Sequence, residues 1–176
     1  CGEGSLREIH ETAARSLGLP RSRADGFIEA EIHCETGHVE PNTLLVSYMR
    51  KHQARGGRIV LISDMYMHAD QIAELLARSG IRADLYDAMY SSADTKVSKA
   101  SGGIFDRIDE AAHAHRVVHV GDSLRGDYLN PRAVGWHALL WPIPNMLLDE
   151  REEDHAACVV ELWQRHRLDI EREMAA

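Results

Sequence analysis

The sequence predicts an α/β fold, a parallel sheet with helices on both of its faces. Three observations lead there. Short apolar runs rich in branched residues stand at 58–63 and 116–120, and they are continuous where a half-exposed strand would alternate. Segments with apolar residues at helical spacing separate these runs. Polar residues gather just past the ends of the runs, where ligands of parallel sheets bind.

Residues 1–54 read as helical, with breaks at Gly18-Leu19-Pro20 and Glu40-Pro41-Asn42. Leu6, Ile9 and Ala13 fall at helical spacing, as do Phe27, Ile28 and Ile32, and then Leu44, Leu45, Tyr48 and Met49. Pro41 belongs near the start of the last of these helices, and Gly56-Gly57 ends it. The run at 58–63 reads as a strand buried on both faces. A helix follows over 69–79, with Ile72, Leu75 and Leu76 inward and Gly80 as its stop. A second strand is expected at 85–91. A helix is expected at 103–114, with Ile104, Phe105 and Ile108 on one face. A third strand is expected at 116–120, before Gly121-Asp122, and a fourth at 136–141. Pro142 and Pro144 break the pattern, and a last helix is expected at 153–173. Its Val159, Val160, Leu162, Trp163, Leu168 and Ile170 would dock on the core or on another subunit. The domain reading is a helical portion at 1–54, an α/β core at 55–150 and a C-terminal helix at 151–176.

Bulk properties exclude several function classes. The 176 residues suit one domain with a small appendage. A net charge of −8 argues against a general electrostatic hold on nucleic acid or anionic membrane. No apolar run approaches the roughly 18 residues that span a bilayer, and no signal-peptide pattern is visible. Cys1, Cys34 and Cys158 are scattered and odd in number, which suggests a reducing, cytoplasmic setting. The chain starts at Cys1 and not Met, so a processed, trimmed or partial protein is expected.

The strand ends carry the chemistry. The first ends in Ser63-Asp64. A hydroxyl there can donate to a phosphoryl oxygen, and it can equally cap the next helix. After the second strand come Lys96 and Lys99, within Asp94-Thr95-Lys96-Val97-Ser98-Lys99-Ala100-Ser101-Gly102-Gly103. A lysine entering from a loop at this edge can neutralise phosphate as a point charge; a solvated lysine is the plain alternative. The third strand delivers Gly121-Asp122-Ser123-Leu124-Arg125-Gly126-Asp127. Gly121 is expected to let the backbone turn sharply. Two converging carboxylates, Asp122 and Asp127, suit Mg²⁺, which prefers a few carboxylates, waters and phosphate oxygens. Capping by Asp122 or Ser123 is the competing reading, and the spacing favours the metal.

The order hydroxyl, lysine, Gly-Asp-Ser…Asp resembles the haloacid dehalogenase (HAD) superfamily, mostly phosphatases. Leu61-Ile62-Ser63-Asp64-Met65-Tyr66 is similar to its second motif, Lys99 (or Lys96) to its third, and Val120-Gly121-Asp122-Ser123…Asp127 to its fourth. The likeness is strongest to bacterial HAD-like proteins associated with glycosyltransferases. It covers residues 40–142 well, and 1–40 more weakly as part of a helical cap. It implies a HAD-like Rossmannoid sheet and a Mg-dependent phosphatase acting on a small phosphorylated metabolite through an aspartyl-phosphate. Asp122 and Asp127 would serve the metal. Ser63, Asp64, Lys99 and Ser123 would bind substrate, with Ser63 and Lys99 also assisting catalysis. Partners would be a glycosyltransferase or a missing N-terminal segment, with no nucleic acid and no membrane.

One part is missing. The family's first motif, Asp-x-Asp on the central strand, supplies nucleophile and general acid–base, and no Asp-x-Asp occurs here. Asp64 is no substitute, because Tyr66 stands where its acid–base partner would be. The implied strand order 5-4-1-2-3 then lacks strand 1, leaving a gap between the strands ending at Gly121 and Ser63. The chain by itself is expected to be inactive. The alternative function is a non-catalytic HAD-fold binding or scaffold module.

Smaller features weigh less. His33 and His38 are five apart and do not share a helix face as a zinc pair would. His113, His115 and His119 are not expected to bind metal. His68 is expected at an exposed helix start. Arg125 is expected to pair with Asp127, and Trp136, Trp141 and Trp163 to pack.

Overall fold

The computed structural model describes residues 3–108, 114 and 116–166. Three helices come first: α1 (Leu6–Ser16), α2 (Arg23–Thr36) and α3 (Thr43–Gln53). Ser5 starts α1 with a reciprocal capping box. Its hydroxyl accepts from the Glu8 amide, and the Glu8 carboxylate accepts from the Ser5 amide at 2.7 Å. Asn42 caps α3 by accepting from the Leu45 amide at 3.0 Å, with Pro41 just outside the helix.

The α/β part follows: β1 (Val60–Ser63), α4 (Ala69–Arg78), β2 (Ala88–Ser91) and the single turn α5 (Ser92–Thr95). Then come β3 (Val118–Gly121), a π-helical turn at Leu124–Leu129, α6 (Asn130–Ala133), β4 (His137–Leu140) and α7 (Asn145–His166). β1 pairs in parallel with β2, Ser63 opposite Ser91. β3 pairs in parallel with β4, Gly121 opposite Leu140. The strands are parallel as expected, but among the described residues they form two separate two-stranded sheets.

Two cores hold the chain together. Leu6, Ile28, Ile32, Met67, Ile72 and Leu75 form the first, so α1 and α2 pack on α4. The second comprises Ile104, Phe105 and Ile108 against Val60, Ile62, Tyr90, Val97 and Trp136, which links β1 and β2 to the approach of β4. Burying side chains of this size is worth about 1.5–3 kcal/mol each.

Several expectations need correction. β1 is half-buried along its length, not buried on both faces, because it has a strand neighbour on one edge only among the described residues. Residues 103–108 make a short 3-10 turn at Phe105–Arg107, not an α-helix, and Ile108 is already extended. Gly102 at φ +85° and the close seat of Gly103 on Val97 set that tight path. The rest of the expected helix, with His113 and His115, lies outside the described residues, as do Cys1, Leu168 and Ile170. The last helix begins eight residues early, at Asn145. Pro144 does not break it but starts it, its carbonyl accepting from the Leu147 amide at 2.9 Å. α3 buries none of its residues, and Leu44 and Tyr48 are exposed, as is Ile9 of α1.

Candidate functional site

The ends of β1 and β3 meet through one loop, residues 98–103. Asp64, just past β1, takes the Lys99 amide on Oδ1 at 2.7 Å and the Ala100 amide on Oδ2 at 3.3 Å. From the other side Asn130, at the start of α6, donates through Nδ2 to the carbonyls of Lys99 at 2.6 Å and Ala100 at 3.0 Å. Within the loop, Ser98 and Ser101 bond to each other's amides. The backbone of Lys99 is therefore held on both sides, and its side chain starts from a fixed point.

That side chain ends on Asp127. Lys99 Nζ donates to Asp127 Oδ1 at 2.7 Å, and His119 Nε2 reaches the same oxygen at 2.8 Å. Oδ2 accepts from the Ser123 amide at 3.0 Å. Asp127 is 1 % exposed, so without these donors its charge would be strongly disfavoured. Burial alone would raise its pKa, but the bonds from His119, Lys99 and Ser123 outweigh burial and hold the carboxyl below its ordinary value. Burial lowers the pKa of His119, against the pull of Asp127, which favours the uncharged ring.

Gly121 serves this packing. It is not among the positive-φ glycines, so the turn after β3 does not draw on left-handed backbone. A Cβ at 121 would lie 2.3 Å from Asp127 Cγ and 2.6 Å from Oδ2. The glycine is there for close approach.

The other predicted residues lie around this cluster. Ser63 Oγ accepts from the Met65 amide at 3.1 Å, which leaves its own hydrogen free to donate. Ser123 caps the π-helical turn, its Oγ accepting from the Gly126 amide at 3.1 Å. π turns often mark functional sites. Asp122 is exposed and makes no side-chain hydrogen bond or ion pair with a described residue. Arg125, expected to pair with Asp127, does not; Lys99 and His119 occupy that carboxylate. Lys96 points elsewhere, its Nζ 3.5 Å from Glu8 Oε2 and 3.4 Å from the Glu3 carbonyl. Its backbone is left-handed, φ 60°. His68 is half-buried, with Nδ1 2.6 Å from Asp94 Oδ1.

Sequence reasoning missed His119, Asn130 and the serines that hold the β1 loop. His119 looked like one histidine of a scattered set; its placement opposite Asp127 arises only from tertiary packing. Ser91 and Ser92, both buried, set their hydroxyls against the carbonyls of Met65 and Met67. Tyr66 in that loop donates to Glu31 Oε1 at 2.8 Å, and burial together with this bond pushes its pKa up to about 12. The opposite oxygen of Glu31 lies 2.7 Å from His10 Nε2.

The residues present do not by themselves fit a magnesium ion. Among the described residues no three His, Cys, Asp or Glu side chains stand close enough to hold one. The oxygens of Asp127 already carry three donors, which leaves Asp122 as the free carboxylate of this turn.

The electrostatics predict acid sensitivity. His119 folds with its pKa below 6.5 and Asp127 with its pKa below 3.8. The unfolded chain therefore binds more protons as pH falls, and stability falls with it. The melting temperature should begin to drop as pH passes below the free-imidazole value, and drop further below that of a free carboxylate. In a His119→Gln chain the upper part of that decline should be absent.

No family model and no curated protein matches the sequence. The fold is similar to the crystal structure of a HAD phosphatase from Thermococcus onnurineus, with 18% identity, a TM-score of 0.46, and coverage of 74% of this chain and 74% of that chain. At that distance the likeness says nothing of function. Among the described residues no helix is long and apolar enough to cross a membrane. Cys34 and Cys158 are free and exposed.

Proposed function

We propose that this chain is the phosphate-handling part of a HAD-like hydrolase, a phosphatase acting on a small phosphorylated metabolite. One observation carries the reading: the loop of Lys99 is clamped between Asp64, just past β1, and Asn130 of α6, with Ser63 at the end of β1 and the unpaired Asp122 just past β3. Lys99 would neutralise the charge of a phosphoryl group, and the hydroxyl of Ser63 would donate to one of its oxygens. A nucleophilic carboxylate would come from an added strand between β1 and β3, outside the described residues. The edges of β1 and β3 support this, since each strand has a neighbour on one side only among the described residues and an open edge is a template for pairing. Magnesium dependence belongs to the same proposal, because that strand's carboxylates would join Asp122.

The test is hydrolysis of a simple phosphate ester with magnesium, by a form of the protein that carries an Asp-x-Asp strand. Asp122→Ala should abolish turnover without lowering the melting temperature, because Asp122 holds nothing in the fold. Undiminished turnover in that variant would remove the assigned role. The 176-residue chain by itself should be inactive, and contaminant-free turnover by it would overturn the motif assignment.

A second reading, a non-catalytic HAD-fold module that binds a phosphorylated ligand or scaffolds a partner enzyme such as a glycosyltransferase, is favoured by the full occupancy of Asp127. It predicts phosphate binding that depends on Lys99, with no turnover in any form of the protein.

A further inference from the structure

We propose that His119 is a positioning residue for Lys99, a ring that donates through Nε2 to Asp127 and so fixes the lysine ammonium at the meeting point of the strand ends. The inference goes beyond the phosphatase reading and uses it only for the consequence on anion binding.

The geometry supplies the argument. Asp127 Oδ1 is shared by two donors, Lys99 Nζ at 2.7 Å and His119 Nε2 at 2.8 Å. The side chains of Lys99, His119 and Asp127 are 16%, 10% and 1% exposed, so water contributes little to holding them. An ionised carboxylate only accepts, so the ring nitrogen facing it carries the hydrogen. That fixes the tautomer with the hydrogen on Nε2. A neutral donor leaves the cluster balanced, one negative carboxylate and one positive ammonium. A second cation here would leave excess positive charge in a buried place. The ring cannot tilt away. Phe105 meets it edge-on at 5.6 Å and 84°, and Trp136 backs Phe105 at 5.1 Å and 79°. Two donors on one oxygen thus pin Asp127 against Gly121, and Lys99 has one place to go. The direct contact of His119 is with Asp127, so its effect on an anion would pass through Lys99.

The experiment follows the lysine ammonium in the 15N-labelled 176-residue chain, with the Lys99 signal assigned by its loss in Lys99→Arg. Hydrogen-bonded, poorly solvated ammonium protons exchange slowly and give a resolved signal. That signal should be present in wild type, lost in His119→Leu, and retained in His119→Gln, whose amide can replace the Nε2 donor. Inorganic phosphate affinity, measured in parallel, should weaken on the order of tenfold in His119→Leu, about one hydrogen bond's worth, and stay near wild type in His119→Gln. An unchanged Lys99 signal in folded His119→Leu would overturn the proposal. A second measurement needs no variant: the long-range 1H–15N spectrum of wild type should show the hydrogen of His119 on Nε2 at neutral pH, and a hydrogen on Nδ1 alone would overturn the assignment. If wild type shows the expected lysine and histidine signals but binds no phosphate, the positioning role stands and the phosphatase reading fails.

Discussion

Replacing Asp127 with alanine should destabilise the folded chain by about 3 kcal/mol. Removing one partner of a buried charge pair typically costs about 3–5 kcal/mol, because the other charge stays behind unpaired. The lower figure applies because Lys99 keeps some access to water. Urea unfolding should show the midpoint moving down with little change in slope. The substitution also frees Lys99, unpins His119 and leaves the Ser123 amide without its acceptor. The carboxylate part of the acid sensitivity should be lost in the same variant, since the carboxyl that must be protonated is gone. A midpoint within about 0.5 kcal/mol of wild type, the range of an ordinary surface change, would mean that Asp127 is not the buried counter-ion described.

Gly121→Ala should cost nearly as much, by an opposite route. The added methyl would lie 2.3, 2.6 and 2.7 Å from Asp127 Cγ, Oδ2 and Cβ. Asp127 is buried and held by three donors, so it is not a loose side chain that swings aside. Either the end of β3 shifts or the carboxylate leaves its donors. Overpacking alone costs about 1–3 kcal/mol, and a displaced ion pair adds to that. Calorimetry should find the double variant Gly121→Ala, Asp127→Ala less destabilised than the sum of the two singles, since two of the three clashing atoms are then absent. Simple additivity would contradict the close approach.

The parts legible in the sequence were those set by local pattern. The helix breaks at Gly18-Leu19-Pro20 and Glu40-Pro41-Asn42 match the gaps between α1, α2 and α3, and the apolar runs contain β1 and β3. Asp64, Lys99 and Asp127 are tied together through one loop. Other features depend on contacts distant in the chain. Three apolar residues at helical spacing, Ile104, Phe105 and Ile108, suggested a helix, yet a 3-10 turn buries the same three. The spacing of Asp122 and Asp127 suggested two carboxylates converging on one metal, Asp122 binding it and Asp127 in support. Burial separates them, one exposed and unpaired, the other enclosed and saturated. The single sheet expected from the alternation is two pairs, because pairing depends on which neighbours are present and not on the character of each strand.

The backbone at Lys96 separates the two lysines of the loop in a way useful at the bench. A residue with a β-carbon is held there in a conformation that glycine adopts freely. Trading Lys96 for glycine thus removes one ammonium while relaxing the main chain, so any loss of anion affinity could not be blamed on a distorted loop.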